Sequence, residues 1–215
     1  MNARDHSLYE RLHKQIGDIP RPGLLLLDVA TTQFVVVELV LLKALIGNGN
    51  SGLFISVDRP HQYMVHLLDM HKIERNQLSF IDAVSQFSQG DRDSHVKVDF
   101  LKGPSHIDEL PEVLSKSSAT GNDFDISRLQ FALIDNVSIL MLYNSRQAVE
   151  SFLDETLKLL SGRMAVVLVI DRKRFPDLYQ AALSMGGGEL RLDPQAAQMA
   201  EQVPRANGHI LDGGK

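Results

Sequence analysis

Hydrophobic residues fall in short, dense runs separated by longer amphipathic stretches. Leu24 to Leu27 is a continuous apolar run after Pro20, Pro22 and Gly23. Runs of this kind suit strands buried on both faces, as in a parallel sheet. Leu53 to Val57, Leu78 to Asp82, Phe131 to Asp135 and Met164 to Ile170 have the same character, and Glu189 to Leu192 gives a weaker last strand. Between them the period changes. Leu8 to Ile16 predicts a short amphipathic helix. Gln33 to Ile46 predicts a nearly all-apolar one, with Thr31 or Thr32 as cap and Gly47-Asn48-Gly49-Asn50 as terminator. Further helices are predicted from Pro60 to Met70, from Ser145 to Leu160 with Val149, Phe152, Leu153, Thr156, Leu157 and Leu160 on one face, and from Phe175 to Met185 before Gly186 to Gly188. Residues 85–125 are rich in Ser, Asp, Gly and Lys. They read as an irregular excursion with one short helix near Ile107 to Ser115.

Strands alternating with helices, the strands apolar throughout, predict a three-layer α/β fold: a mainly parallel twisted sheet flanked by helices. The expected organisation is an N-terminal helical segment over 1–19, an α/β domain over 20–195 and a loosely attached tail over 196–215. Ligands on such folds bind beyond the carboxyl ends of the strands. That directs attention to Asp28 to Gln33, Asp58-Arg59, Asp82 and Asp135-Asn136.

Composition narrows the chemistry. The 215 residues are 44% hydrophobic and 23% charged, which excludes disorder along most of the length. A net charge of −5 gives no global basic field for nucleic acid, and the absence of cysteine excludes disulfides, thiolate metal sites and a cysteine nucleophile. With no tryptophan, the core must be mostly aliphatic. The longest apolar stretch, Phe34 to Ile46, contains Glu38 and Lys43 and is too short to span a bilayer. The first residues lack the apolar stretch of an export signal, so a cytoplasmic location without membrane partners is expected.

Four stretches together resemble RecA-like ATPases of the KaiC type: NGNSGLFISVDRPH (48–61), NQLSFIDAVS (76–85), FALIDNVSILMLYNSRQAVESFLDETLKLL (131–160) and MAVVLVIDRKRFPDLYQAALSMGGGELRL (164–192). The resemblance spans roughly residues 20 to 195 and implies a RecA-like core. It also implies a phosphate-binding loop, G-x-x-x-x-G-K-[ST], after the first strand. The corresponding residues are Leu27-Asp28-Val29-Ala30-Thr31-Thr32-Gln33-Phe34. Both glycines are missing, Gln33 stands for the lysine and Phe34 for the magnesium-binding hydroxyl. The glycines let backbone N–H groups wrap phosphates, and the lysine supplies their counter-charge. Phenylalanine has no ligand atom, and Asp28 adds repulsion. Asp28, Thr31, Thr32, Gln33 and Phe34 are thus a degenerate cofactor loop. No cofactor is expected, with Mg·ATP retained as the alternative through the free amino end of a helix.

The same resemblance equates Asp135 with the Walker B aspartate, which acts on magnesium. It equates Asp58 and Arg59 with paired glutamates that polarise the attacking water, a role an aspartate and a cation do not fill. Arg205 and His209 keep the spacing of a segment that reaches a neighbouring subunit's site, although Val203 replaces its lysine.

Plainer readings stand beside these. Asp135 would cap the following turn, and Asp58-Arg59-Pro60 is also a helix-start signal. His61, His66 and His71 recur every five residues, about 500° around a helix, and so do not share a face. His6/His13 and His95/His106 lack ligand spacing. Ser138 and Ser145 lie in no nucleophile motif. Arg172, Lys173 and Arg174 form either a solvated loop or a contact for nucleic acid or an acidic partner. Gly186 to Gly188 most simply stop a helix.

Three functions follow. The first is a catalytically degenerate RecA/KaiC-like domain, not an ATP hydrolase, serving as a regulatory or structural subunit in a homo-oligomer or beside a paralogous RecA-like subunit. The second is an atypical nucleotide-binding protein or ATPase using Asp135 and Asp58. The third is a nucleic-acid-binding RecA relative using Arg172 to Arg174.

Overall fold

A computed structural model describes residues 9–10, 22–85, 97–119 and 126–190. Seven strands form one sheet: β1 Gly23–Asp28, β2 Gly52–Ser56, β3 Leu78–Asp82, β4 Lys97–Phe100, β5 Phe131–Ile134, β6 Ala165–Ile170 and β7 Gly188–Leu190. Their order is β4-β3-β2-β5-β6-β1-β7 and every pairing is parallel. The helices with full bounds among the described residues are α1 Phe34–Gly47, α2 His61–Met70, α3 Leu110–Ala119, α4 Arg146–Leu160 and α5 Pro176–Ser184.

The topology follows from crossover handedness. From β1 the chain steps outward through β2 and β3 to β4. It then turns back through β5 and β6 to β7. Right-handed crossovers in opposite directions place their helices on opposite faces. Accordingly α1 and α2 pack with Leu27, Phe54, Phe80, Leu133 and Val167 on one face. Helices α3, α4 and α5 pack with Leu26, Ile55, Ile81, Ile134 and Leu168 on the other. Alternate strand residues feed alternate cores, so the strands are apolar throughout. The expected three-layer fold is the observed one.

Helix α1 is apolar nearly all round. Phe34, Leu41, Leu42 and Ala44 are fully or almost fully buried, and Tyr9 packs against the same core. A helix of this kind belongs inside the protein. Helix α4 has a single apolar stripe, and Ser145 caps it by accepting from the Ala148 N–H.

Three expectations are corrected. Segment 85–125 is not merely an excursion with one helix, because it contributes β4, which pairs with β3 from Ser79↔Lys97 to Asp82↔Phe100. Its alternation is shallow because an edge strand is half exposed. Neither Thr31 nor Thr32 caps α1. They form a 3-10 turn, Thr31–Gln33, that runs into it without a side-chain cap from either neighbouring residue. Asp58 does not cap α2, whose first N–H is taken by Asp82. Of the expected helix over Leu8 to Ile16, Tyr9 and Glu10 are helical and the rest lies outside the described residues, as does the tail beyond 190.

Gly52 sits opposite Phe131 in the β2–β5 pair. A Cβ on Gly52 would lie 2.1 Å from Phe131 Cζ, and that ring is wholly buried. Gly52→Ala should therefore destabilise the chain by about 1–3 kcal/mol through overpacking. Phe131→Leu in the same chain should recover part of the loss. Urea denaturation of both variants checks this, and an undiminished midpoint for Gly52→Ala would refute the close packing.

Candidate functional site

Five strands run into an aspartate at or just beyond their carboxyl ends: Asp28, Asp58, Asp82, Asp135 and Asp171. Strands β1 and β6 are neighbours whose following helices lie on opposite faces, and so are β2 and β5. Crevices open at such switch points. The aspartates at the two crevices hold two separate polar clusters.

The first cluster lies at the β1/β6 crevice. The Asp171 carboxylate accepts the Thr31 backbone N–H at 3.0 Å and the Thr31 hydroxyl at 2.7 Å. Its other oxygen accepts the Arg174 N–H at 3.1 Å. The Asp171 N–H in turn donates to the Ser138 hydroxyl at 3.2 Å. Burial alone would raise this carboxyl, but bonds from Thr31 and Arg174 outweigh it and hold Asp171 below its ordinary value. The Gln33 N–H donates to the Ala30 carbonyl at 2.8 Å, and Ala30 is extended at φ −64°. Two of the N–H groups at this helix entry are thus bonded within the protein. Phe34 is 1% exposed and belongs to the core with Val29 and Val37. Gln33 is buried, while Asp28 and Thr32 face solvent.

The basic residues after β6 are exposed but are not a free patch. The Arg172 N–H donates to Asp28 Oδ1 at 3.1 Å. Its guanidinium lies 3.6 Å from Glu189 and 5.3 Å from the centre of the Tyr179 ring. Burial, the Glu189 charge and the hydrogen bond to Glu189 push the Tyr179 phenol up to about 12. The Arg174 guanidinium reaches the Thr31 hydroxyl at 3.4 Å and lies over Phe175. Lys173 is exposed between them.

The second cluster lies at the β2/β5 crevice. Asp135 does not cap the following turn, because its Oδ1 accepts the Val57 N–H at 2.6 Å and so ties the end of β5 to β2. Asn136 takes a left-handed conformation at φ 34°, tolerable for an asparagine. Its amide donates to Asp58 Oδ2 at 2.8 Å. Arg59 bridges Asp58 and Glu38, each at 3.1 Å. The Ser56 hydroxyl donates to the Arg59 carbonyl. Glu38, on α1, is wholly buried. Burial, reinforced by the charges of Asp135 and Asp58 and opposed by Arg59, raises its carboxyl well above the ordinary value. Burial also pushes Asp135 up to about 7. Asp58 and Arg59 therefore form an ion pair that Glu38 and Asn136 extend.

A third group lies between β2 and β3. Asp82 Oδ2 accepts the His61 N–H at 2.8 Å and meets His61 Nδ1 at 2.7 Å. Asp82 Oδ1 accepts the Val84 and Ser85 N–H groups. Burial would raise Asp82, but these bonds, led by those to His61, lower it. The Phe100 ring meets His61 edge-on at 5.4 Å.

The residues picked out from the sequence thus fall into separate clusters. Asp58 and Asp135 share one, and Thr31 with Arg172 and Arg174 the other. Arg205 and His209 lie outside the described residues. The sequence reading missed Glu38 and Asp171. A lone acidic residue in the most apolar helix was a usable signal for Glu38. For Asp171 the signal was LVID, the same strand-end pattern as ALID and SFID.

No protein-family model matches the chain, and no curated protein matches it. Among solved structures, the chain is similar to flagellar accessory protein FlaH from Methanocaldococcus jannaschii. The two share 14% identity over 86% of this chain and 75% of that one, with a TM-score of 0.46. A likeness that remote assigns no family and no activity.

Asp171 acts as a tertiary cap for the α1 entry. Asp171→Asn should cost about 0.5–2 kcal/mol near neutral pH. Because the folded carboxyl is lowered, its contribution is present above the unfolded value of about 3.9 and is lost as pH falls through the folded one. Denaturant titrations at about pH 7 and about pH 3 should therefore show a gap between variant and wild type that narrows in acid. A gap that widens in acid would contradict the assignment.

Proposed function

We propose that the chain is a catalytically degenerate RecA/KaiC-like domain that acts as a regulatory or structural assembly subunit and does not hydrolyse ATP. One observation carries this reading: the Asp171 carboxylate occupies the Thr31 N–H and hydroxyl at the amino end of α1. The amino end of a helix attracts one anion, and here the protein supplies it. A phosphate approaching Thr31 would have to displace Asp171 while facing Asp28. Neither of the two ordinary aids is present, since Gln33 is neutral and Phe34 is committed to the core.

The second crevice supports the same reading. A carboxylate that polarises water needs an open lone pair and space beside it. Asp58 Oδ2 already accepts from both Arg59 and Asn136. Asp135 keeps an unpartnered oxygen but is wholly buried, so it lacks the space beside it. The work left to such a domain is association, with copies of itself or with a paralogous RecA-like subunit. Arg172 and Arg174 serve the internal structure of their loop, which weighs against the nucleic-acid reading.

Thermal unfolding with millimolar Mg·ATP and Mg·ADP, with mass read by light scattering in the same samples, tests this. The expected result is an unchanged midpoint and a defined oligomer. A ligand at about 100 times its Kd would add about 2.7 kcal/mol of stability. A magnesium-dependent shift of that size, abolished by Asp135→Ala, would overturn the proposal.

A further inference from the structure

Glu38 and Asp135 have a feature in common that the pseudo-ATPase reading does not use. Both side chains are wholly buried, and each keeps one oxygen without a hydrogen-bond partner, Oε1 of Glu38 and Oδ2 of Asp135. Their other oxygens are bonded, Glu38 Oε2 to Arg59 and Asp135 Oδ1 to the Val57 N–H. A buried, unpartnered carboxylate oxygen is costly, and two in one cluster call for a common explanation.

Charge balance supplies it. The charged groups around the pair come from the segment after β2, Asp58 and Arg59, while Asn136 at the end of β5 adds only neutral amides. Fully ionised, the cluster would hold three carboxylates against one guanidinium. Asp58 Oδ2 accepts two donors, and its side chain is 24% exposed. Glu38 and Asp135 have no such outlet. We propose that Glu38 and Asp135 share one proton in the folded chain, and that losing it loosens the seating of α1 on the sheet.

A carboxylic acid group has one donor that its ionised form lacks. A single proton therefore turns two unpartnered acceptors into a donor and an acceptor, and it removes one of the two excess charges. Glu38 lies on α1, and Asp135 ties β5 to the end of β2. The protonated pair fastens that helix to the strand ends, and the ionised pair repels across the same seam.

The sign of the pH dependence follows. A carboxyl raised in the folded state contributes stability that is full below its unfolded value and lost as pH rises through the folded one, about 7 for Asp135. The neutral isosteres Glu38→Gln and Asp135→Asn should therefore gain in melting temperature relative to wild type between about pH 5 and about pH 8. The double variant should gain no more than the better single one, because only one proton is at stake. A variant-free readout accompanies them: in wild-type chain the side-chain carboxyl carbons of Glu38 and Asp135, followed by NMR, should share a titration step well above the ordinary carboxylate range. A difference from wild type that does not change with pH, or carboxyl carbons that both titrate below about pH 5, would overturn the proposal. If a variant fails to fold, the wild-type titration alone decides.

Discussion

The amino end of α1 must be satisfied, and the rest of the candidate site depends on how. A helix entry carries unpaired N–H groups and a partial positive charge. In this chain the nearest anion is internal. Asp171, at the end of β6, reaches across to Thr31 and closes the β1/β6 crevice with a carboxylate. This single contact fixes the loop after β6, since Arg174 bonds both to Asp171 and to Thr31. It also permits Phe34 to sit in the core directly behind the helix entry, where no polar ligand atom is needed.

The β2/β5 crevice shows the same tendency toward internal closure. Arg59 bridges Glu38 and Asp58, Asn136 takes a left-handed turn and bonds Asp58, and Asp135 accepts the Val57 N–H. Carboxylates at the carboxyl end of a parallel sheet are commonly placed to meet a ligand. Here they meet a guanidinium, an asparagine amide and the backbone. The two crevices are tied together by the Asp171 N–H bond to Ser138 after β5 and by Glu38 of α1, which bonds Arg59.

Much of this fold was legible in the sequence, because strands buried on both faces appear as unbroken apolar runs. Leu53 to Val57, Phe131 to Asp135 and Met164 to Ile170 are visible without any partner. Strand β4 was not, because Lys97 to Phe100 pairs on one side only and its exposure hides the pattern. At the site, the departure of Asp28 to Phe34 from a phosphate-loop pattern could be read directly. What replaces it could not. Thr31 and Asp171 are 140 residues apart, and nothing local to either predicts that they meet. The caps of α1 and α2 were misplaced for the same reason, since both are supplied from distant strand ends. Glu38 appeared only as a flaw in an apolar helix, although its burial against Arg59 makes it part of the site.

The central claim is that the α1 entry is already filled by Asp171 and does not take a phosphate. Amide NMR of the wild-type chain, with Mg·ATP added to millimolar concentration, reads that position directly. The predicted result is no saturable change at the Thr31, Gln33 and Phe34 amides. A saturable shift centred on Thr31, dependent on magnesium, would contradict the claim and show that a nucleotide displaces the internal carboxylate.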